Sequence, residues 1–206
     1  FYATKGMSYI DESIKEDKPF FNYLAFTAPH WPLQVPDDYI DLYKGSYDEG
    51  YEVLAQERMK KMKQLGIVPK YSKVPPLSPN VRPWKTLTAK EKKISSKTME
   101  VYAAMVERLD ANVGRVIKHL KDKGVYENTV IVFLADNGAE GNYIGSILKT
   151  QKWVDENFDN SLNNIGRKNS YAFTGPSWAQ VSSLPFKWYK GFSTEGGVRC
   201  PSIISY

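Results

Sequence analysis

The sequence predicts an α/β fold with a mostly parallel or mixed central sheet flanked by helices. Three observations point there. Helical periodicity precedes a short apolar run twice, first Met7, Ile10 and Ile14 ahead of FFNYLAFT (20–27), then a stripe from Met99 to Leu120 ahead of NTVIVFLADN (128–137). The second run is continuous and rich in β-branched residues, the pattern of a strand covered on both faces. A third apolar run, in GGVRCPSIISY, reads as a turn and another core strand.

Taken in order, the first helix ends before Asp17-Lys18-Pro19, and 20–27, aromatic and bounded by Pro19 and Pro29, is a core strand. APHWPLQVP (28–36) carries three prolines in nine residues, which forbid a helix or a central strand, so it is a stiff loop at that strand's carboxyl end. Two helical stretches are expected between Asp37 and Leu65, and the proline-rich 68–83 has no period. Met99, Tyr102, Ala103, Val106, Leu109, Val113, Val116, Ile117 and Leu120 then form the apolar face of a long helix that Gly124 stops. Between Gly138 and Gly197 a short helix near 144–157 is expected within otherwise irregular chain, longer than a passive connection needs. No internal repeat is present.

With 206 residues, 42% hydrophobic and 14% aromatic, the chain can bury a sizeable core as one domain, with an irregular insertion at about 138–187. It opens on Phe1 and closes on an apolar ISY, and is expected to be an internal fragment. No stretch approaches the roughly 18 apolar residues of a membrane span. The net charge of +5 comes from runs such as RMKKMK (58–63) and KEKK (90–93), which at helical spacing read as solvated helix faces rather than a nucleic-acid surface. The single Cys200 excludes an internal disulfide and reads as a core thiol at the head of a strand. Compartment and oligomeric state are not written in these residues.

Ligands of open α/β sheets gather at the carboxyl ends of strands, and three clusters stand there. Asp136 and Asn137 offer a carboxylate and a neutral carbonyl oxygen, the donors that Ca²⁺ or Mg²⁺ takes, while Asp-Asn-Gly is also an ordinary turn whose side chains bond the local backbone. His30, held between Pro29 and Trp31, can donate a proton, bind an anion or cap loop carbonyls. Lys190, before Gly191 and the Glu195-Gly196-Gly197 turn, is either a point charge for an anion or a surface lysine. His119, between Lys118 and Leu120 on the long helix, reads as a solvent-facing bystander.

These clusters, in the stretches FNYLAFTAPHWPLQVP, MEVYAAMVERLDANVGRVI, FLADNGAEG, FDNSLNNIGRKNSYAFTGPSWAQ and YKGFSTEGGVRCP, resemble the sulfatase family and within it the bacterial-type arylsulfatases of the alkaline phosphatase superfamily. The resemblance covers most of the chain in consistent order. It implies part of an alkaline-phosphatase-like sulfatase fold and hydrolysis of small-molecule sulfate monoesters to an alcohol or phenol and inorganic sulfate. It also implies Ca²⁺, or Mg²⁺, on Asp136 and Asn137, and a catalytic, substrate-holding role for His30 and Lys190, with His30 protonating or stabilising the leaving oxygen. The family's nucleophile is a formylglycine, made by a formylglycine-generating enzyme from a C-x-P-x-R motif. The 206 residues lack that motif: Cys200-Pro201-Ser202-Ile203 has its proline one place early and no arginine. On two metal donors, the chain alone is expected to be inactive and to hold Ca²⁺ poorly. A phosphonate monoester hydrolase or phosphodiesterase of the same superfamily, or a non-catalytic binding domain, are the alternative readings.

Overall fold

The computed structural model describes residues 1–141 and 150–206. Helix α1 (Tyr2–Lys15) buries Ala3, Gly6 and Ile10 and leaves Met7 and Ile14 half-buried. It packs on α3 (Ala89–Asp122), the longest helix. Helix α2 (Tyr51–Gln64) buries Tyr51, Ala55 and Met59, four residues apart and so on one face. Three short helices follow: α4 (Thr150–Asn157), α5 (Gly175–Ser182) and α6 (Glu195–Val198). The part of the expected helix near 144–157 that precedes Thr150 lies outside the described residues.

Two cores meet along α3. One gathers Leu33, Ile40, Val101, Met105, Ile165 and Ala172, and the other Tyr51, Ala55, Val81, Met99, Trp178 and Val181, with Tyr102 packed against both. Trp178 of α5 is fully buried, edge-on to Tyr51 at 5.5 Å, and its indole N–H donates to the Ser95 carbonyl of α3 at 3.0 Å. It joins α2, α3 and α5 in one contact, so Trp178→Ala should destabilise the fold by about 3–5 kcal/mol, read from denaturant unfolding. The proline-rich 68–83 is irregular, as expected, and the buried Gln180 side chain holds it, accepting from Ser78 N (2.8 Å) and donating to Pro76 O (2.8 Å).

Helix α3 begins ten residues before its apolar stripe. Thr88 and Glu91 form a reciprocal capping box there, a signal written in the sequence as T-x-x-E. The Thr88 backbone N–H, the Arg82 guanidinium and the Thr88 hydroxyl hold the exposed Glu91 carboxyl at about 2, below its ordinary 4.5. A lowered carboxyl stabilises the fold above the unfolded-state value, and that contribution is lost as pH falls through the folded one. Glu91→Gln should therefore melt below wild type near neutral pH, with the gap closing between pH 4.5 and about 2 in thermal melts. Gly124, at φ 71, ends the helix as expected.

Four expectations change. The first helical stretch after Asp37 is a 3₁₀ turn, Asp37–Tyr39, followed by turns as far as Gly50, whose φ of 90 no helix continues. Residues 20–27 are irregular and pair with no strand among the described residues: Phe20, Asn22, Leu24 and Phe26 are half-buried, while Phe21 and Tyr23 are 95% and 82% exposed. The strands β1 (Ile131–Leu134) and β2 (Ser202–Ser205) form an antiparallel pair, with Leu134 opposite Ser202, and Val132, Phe133, Leu134, Ile203 and Ile204 are all exposed. Apolar side chains on both faces suit the interior of a larger sheet, whereas the described residues supply neither its layers nor its neighbouring strands. His119 is the fourth. It bonds Asp11 Oδ1 at 3.0 Å, beside Lys123 at 2.8 Å, and so pins α3 to α1 rather than facing solvent.

Candidate active site

Because Leu134 lies opposite Ser202, the turn after β1 and the helix before β2 emerge side by side. Their backbones touch. Gly138 N donates to Gly197 O at 3.1 Å, and a Cβ on Gly138 would sit 1.9 Å from Gly196 O. Gly196 in turn lies under the next loop, donating to Lys187 O at 3.0 Å, and its own Cβ would meet Trp188 O at 2.2 Å. Lys190 N donates to Ala139 O at 3.0 Å. Three stretches, 136–141, 187–191 and 195–197, thus form one stack that leaves no room for a side chain at Gly138 or Gly196.

The loop 28–36 enters from the first core. Leu33 N and Val35 N donate to Ala172 O (3.0 Å) and Gly166 O (2.9 Å), and buried Leu33 anchors the segment. His30 therefore hangs from a fixed base. Its Nδ1 is 2.9 Å from Trp31 O; a carbonyl only accepts, so Nδ1 carries the proton and Nε2 is turned away from the loop. Nε2 lies 3.9 Å from Glu140 Oε2, and the same oxygen is 3.0 Å from Lys190 Nζ.

The structure thus brings His30 and Lys190 to one point, on loops far apart in the chain. Asp136 is exposed and makes no side-chain hydrogen bond among the described residues. Asn137 Nδ2 donates to Gly138 O at 3.2 Å, the local turn bond, and its carbonyl oxygen makes no hydrogen bond among the described residues. Both stand one and two residues before Gly138, at the edge of the stack. The donor types suit a hard cation, but two oxygens fall short of the six to eight that Ca²⁺ takes, and among the described residues no three His, Cys, Asp or Glu side chains gather around a metal-sized point. Cys200, expected to be a core thiol, is half-buried two residues before β2 and belongs to neither core cluster.

Sequence reasoning passed over Glu140. Its signal was a second acid in the same strand-end loop, four residues after Asp136. It also passed over an aromatic wall beside His30: Trp31 lies 4.7 Å from the imidazole and 5.1 Å from Phe173, which is 5.4 Å from Tyr171.

The sulfatase family model matches residues 2–206. An uncharacterized sulfatase of Schizosaccharomyces pombe is 49% identical over 93% of this chain and 35% of its own length. An arylsulfatase of Klebsiella aerogenes is 41% identical over 99% of the chain and 44% of its own length. The chain therefore spans less than half the length of these relatives. Among solved structures, yidJ from Bacteroides fragilis, a provisionally assigned sulfatase, matches the whole chain and 30% of its own with a TM-score of 0.52 at 19% identity, a likeness of fold.

Proposed function

The chain belongs to the sulfatase family, and from that premise we propose that it is part of a sulfuric ester hydrolase of the arylsulfatase type, acting on small-molecule sulfate monoesters. The observation that carries this reading is the approach of Lys190 Nζ and His30 Nε2 to one oxygen, at 3.0 and 3.9 Å, beside a loop that presents Asp136 and Asn137. Two groups that reach the same atom can share one anion.

A sulfate monoester carries one negative charge over three oxygens, and cleaving its S–O bond moves charge onto the departing oxygen. Lys190 holds the sulfate oxygens as a point charge. His30 presents Nε2 to the leaving oxygen, because Nδ1–H donates to Trp31 O; in the imidazolium form the second proton sits on Nε2 and can pass to that oxygen. Donors fixed before the reaction begins need no reorganisation as charge moves. Asp136 and Asn137 would hold Ca²⁺, or Mg²⁺, which when bound supplies Lewis-acid polarisation of the sulfate. Trp31, Phe173 and Tyr171 offer an apolar wall to the leaving group, which favours an aryl ester over a small alkyl one. The formylglycine nucleophile and the remaining metal donors are supplied from outside these 206 residues, in keeping with the share of its relatives that the chain spans.

The test is turnover by the purified full-length protein of 4-nitrophenyl sulfate, a short alkyl sulfate and 4-nitrophenyl phenylphosphonate. The aryl sulfate should give the highest kcat/KM. A preference for the phosphonate would move the protein to the phosphoryl-transfer side of the superfamily, and no turnover of any ester would leave a binding domain.

A further inference from the structure

We propose that Glu140 is a positioning residue: its carboxylate aims the Lys190 ammonium beside His30 Nε2, so that both groups face one anion seat. The proposal rests on the functional reading above. Its geometric basis is separate.

Glu140 Oε2 is 3.0 Å from Lys190 Nζ, a charge-assisted contact, and 3.9 Å from His30 Nε2, beyond hydrogen-bond length. The lysine is therefore held while the histidine keeps its Nε2 for another partner. An ammonium has three N–H groups, and one on Glu140 leaves two for a sulfate. Exposure sets the order of layers. The side chains of Glu140, Lys190 and His30 are 14%, 33% and 45% exposed, so the carboxylate lies underneath and the two donors face outward. Its backbone is fixed as well: Thr174 Oγ1 donates to Glu140 O at 3.2 Å, and the preceding Ala139 O receives Lys190 N. The lysine is thus tied to this loop twice, once by its backbone and once by its ammonium.

Electrostatics gives the carboxylate a second effect. When His30 takes a second proton on Nε2, two positive groups stand close together in a partly water-excluded place, and a negative charge between them and the protein interior offsets their repulsion. The opposite role, a carboxylate occupying the seat in place of substrate, would set Glu140 on the open side, level with or outside the donors. The exposures run the other way.

The experiment compares Glu140→Gln, Lys190→Ala and the double variant in the full-length protein, reading aryl sulfate turnover and competitive inhibition by inorganic sulfate. Glu140→Gln should lower kcat/KM at least about tenfold, most of it in kcat, and weaken sulfate inhibition about as much. The double variant should match Lys190→Ala within about twofold, because Glu140 acts through that lysine. Independent, multiplying losses would overturn the proposal. So would unchanged or tighter sulfate inhibition in Glu140→Gln, which would mark the carboxylate as a competitor for the seat. If Glu140→Gln does not fold, Glu140→Asp replaces it, keeping the charge and shortening its reach; a loss of at least about fivefold supports the proposal and wild-type kinetics overturns it. A wild-type protein with no activity on sulfate esters would sink the functional reading instead, and calorimetry of inorganic sulfate on the same variants would still decide the role of Glu140.

Discussion

Replacing Lys190 with alanine in the full-length protein should lower kcat/KM for an aryl sulfate by more than tenfold while the protein stays folded. The contact at stake is charge-assisted and partly sheltered from water, since Lys190 is one-third exposed. Removing such a contact costs about 1.5–3 kcal/mol, or roughly ten- to a hundredfold in rate. The fold should survive because the backbone N–H of residue 190 donates to Ala139 O whatever its side chain. Lys190→Arg should recover only part of the loss, for a planar guanidinium does not place its donors where an ammonium does. Lys118→Ala is the control: that side chain is 75% exposed and, among the described residues, pairs only with Asp122 one helical turn away, so activity should be unchanged. Equal activity in Lys190→Ala would remove this lysine from the site.

A larger loss is expected from Gly138→Ala. The added Cβ would lie 1.9 Å from the Gly196 carbonyl oxygen, a backbone atom that cannot swing aside as a side chain could. The stack must open. The Gly138–Gly197 hydrogen bond stretches, and the shift passes to Asp136 and Asn137 on one side and, through Ala139 O, to Lys190 on the other. A displacement on the order of 1 Å in a catalytic group costs on the order of a hundredfold, so kcat/KM should fall by about that much, with about 1–3 kcal/mol lost from stability. Gly114→Ala provides the contrast, because nothing lies within 4 Å of a Cβ there and the position is exposed in α3. It should gain about 0.5–1 kcal/mol and leave activity alone.

How much of this was legible in the sequence follows from how far each signal reaches along the chain. The face of α3 from Met99 to Leu120 could be read because its periodicity is local, and Gly124 ended it for a local reason. The cap at Thr88 and Glu91 was equally local and was overlooked in favour of the apolar stripe. Strands are different. FFNYLAFT and IVFL are apolar on both faces, which reports the burial that a completed sheet would give, while pairing depends on partners distant in sequence. Here IVFL finds only β2 and FFNYLAFT finds none among the described residues. The α/β class stands on the shared fold of its structural neighbours, although the strand pair seen here is antiparallel and open.

The site divides along the same line. His30 sits in a loop stiffened by prolines, and Asp136, Asn137 and Lys190 sit after a strand or at glycine turns, where residue type and position already suggest chemistry. Glu140 gains meaning only once folding brings Lys190 and His30 to its carboxylate. His119 likewise looked idle beside Lys118 and Leu120 until α1 carried Asp11 to it.

The most direct measurement is a crystal structure of the full-length protein grown with sulfate and Ca²⁺. The account expects one sulfate within hydrogen-bond distance of both Lys190 Nζ and His30 Nε2, and a cation on the oxygens of Asp136 and Asn137. A sulfate held by only one of the two donors, or a cation bound away from both oxygens, would contradict it.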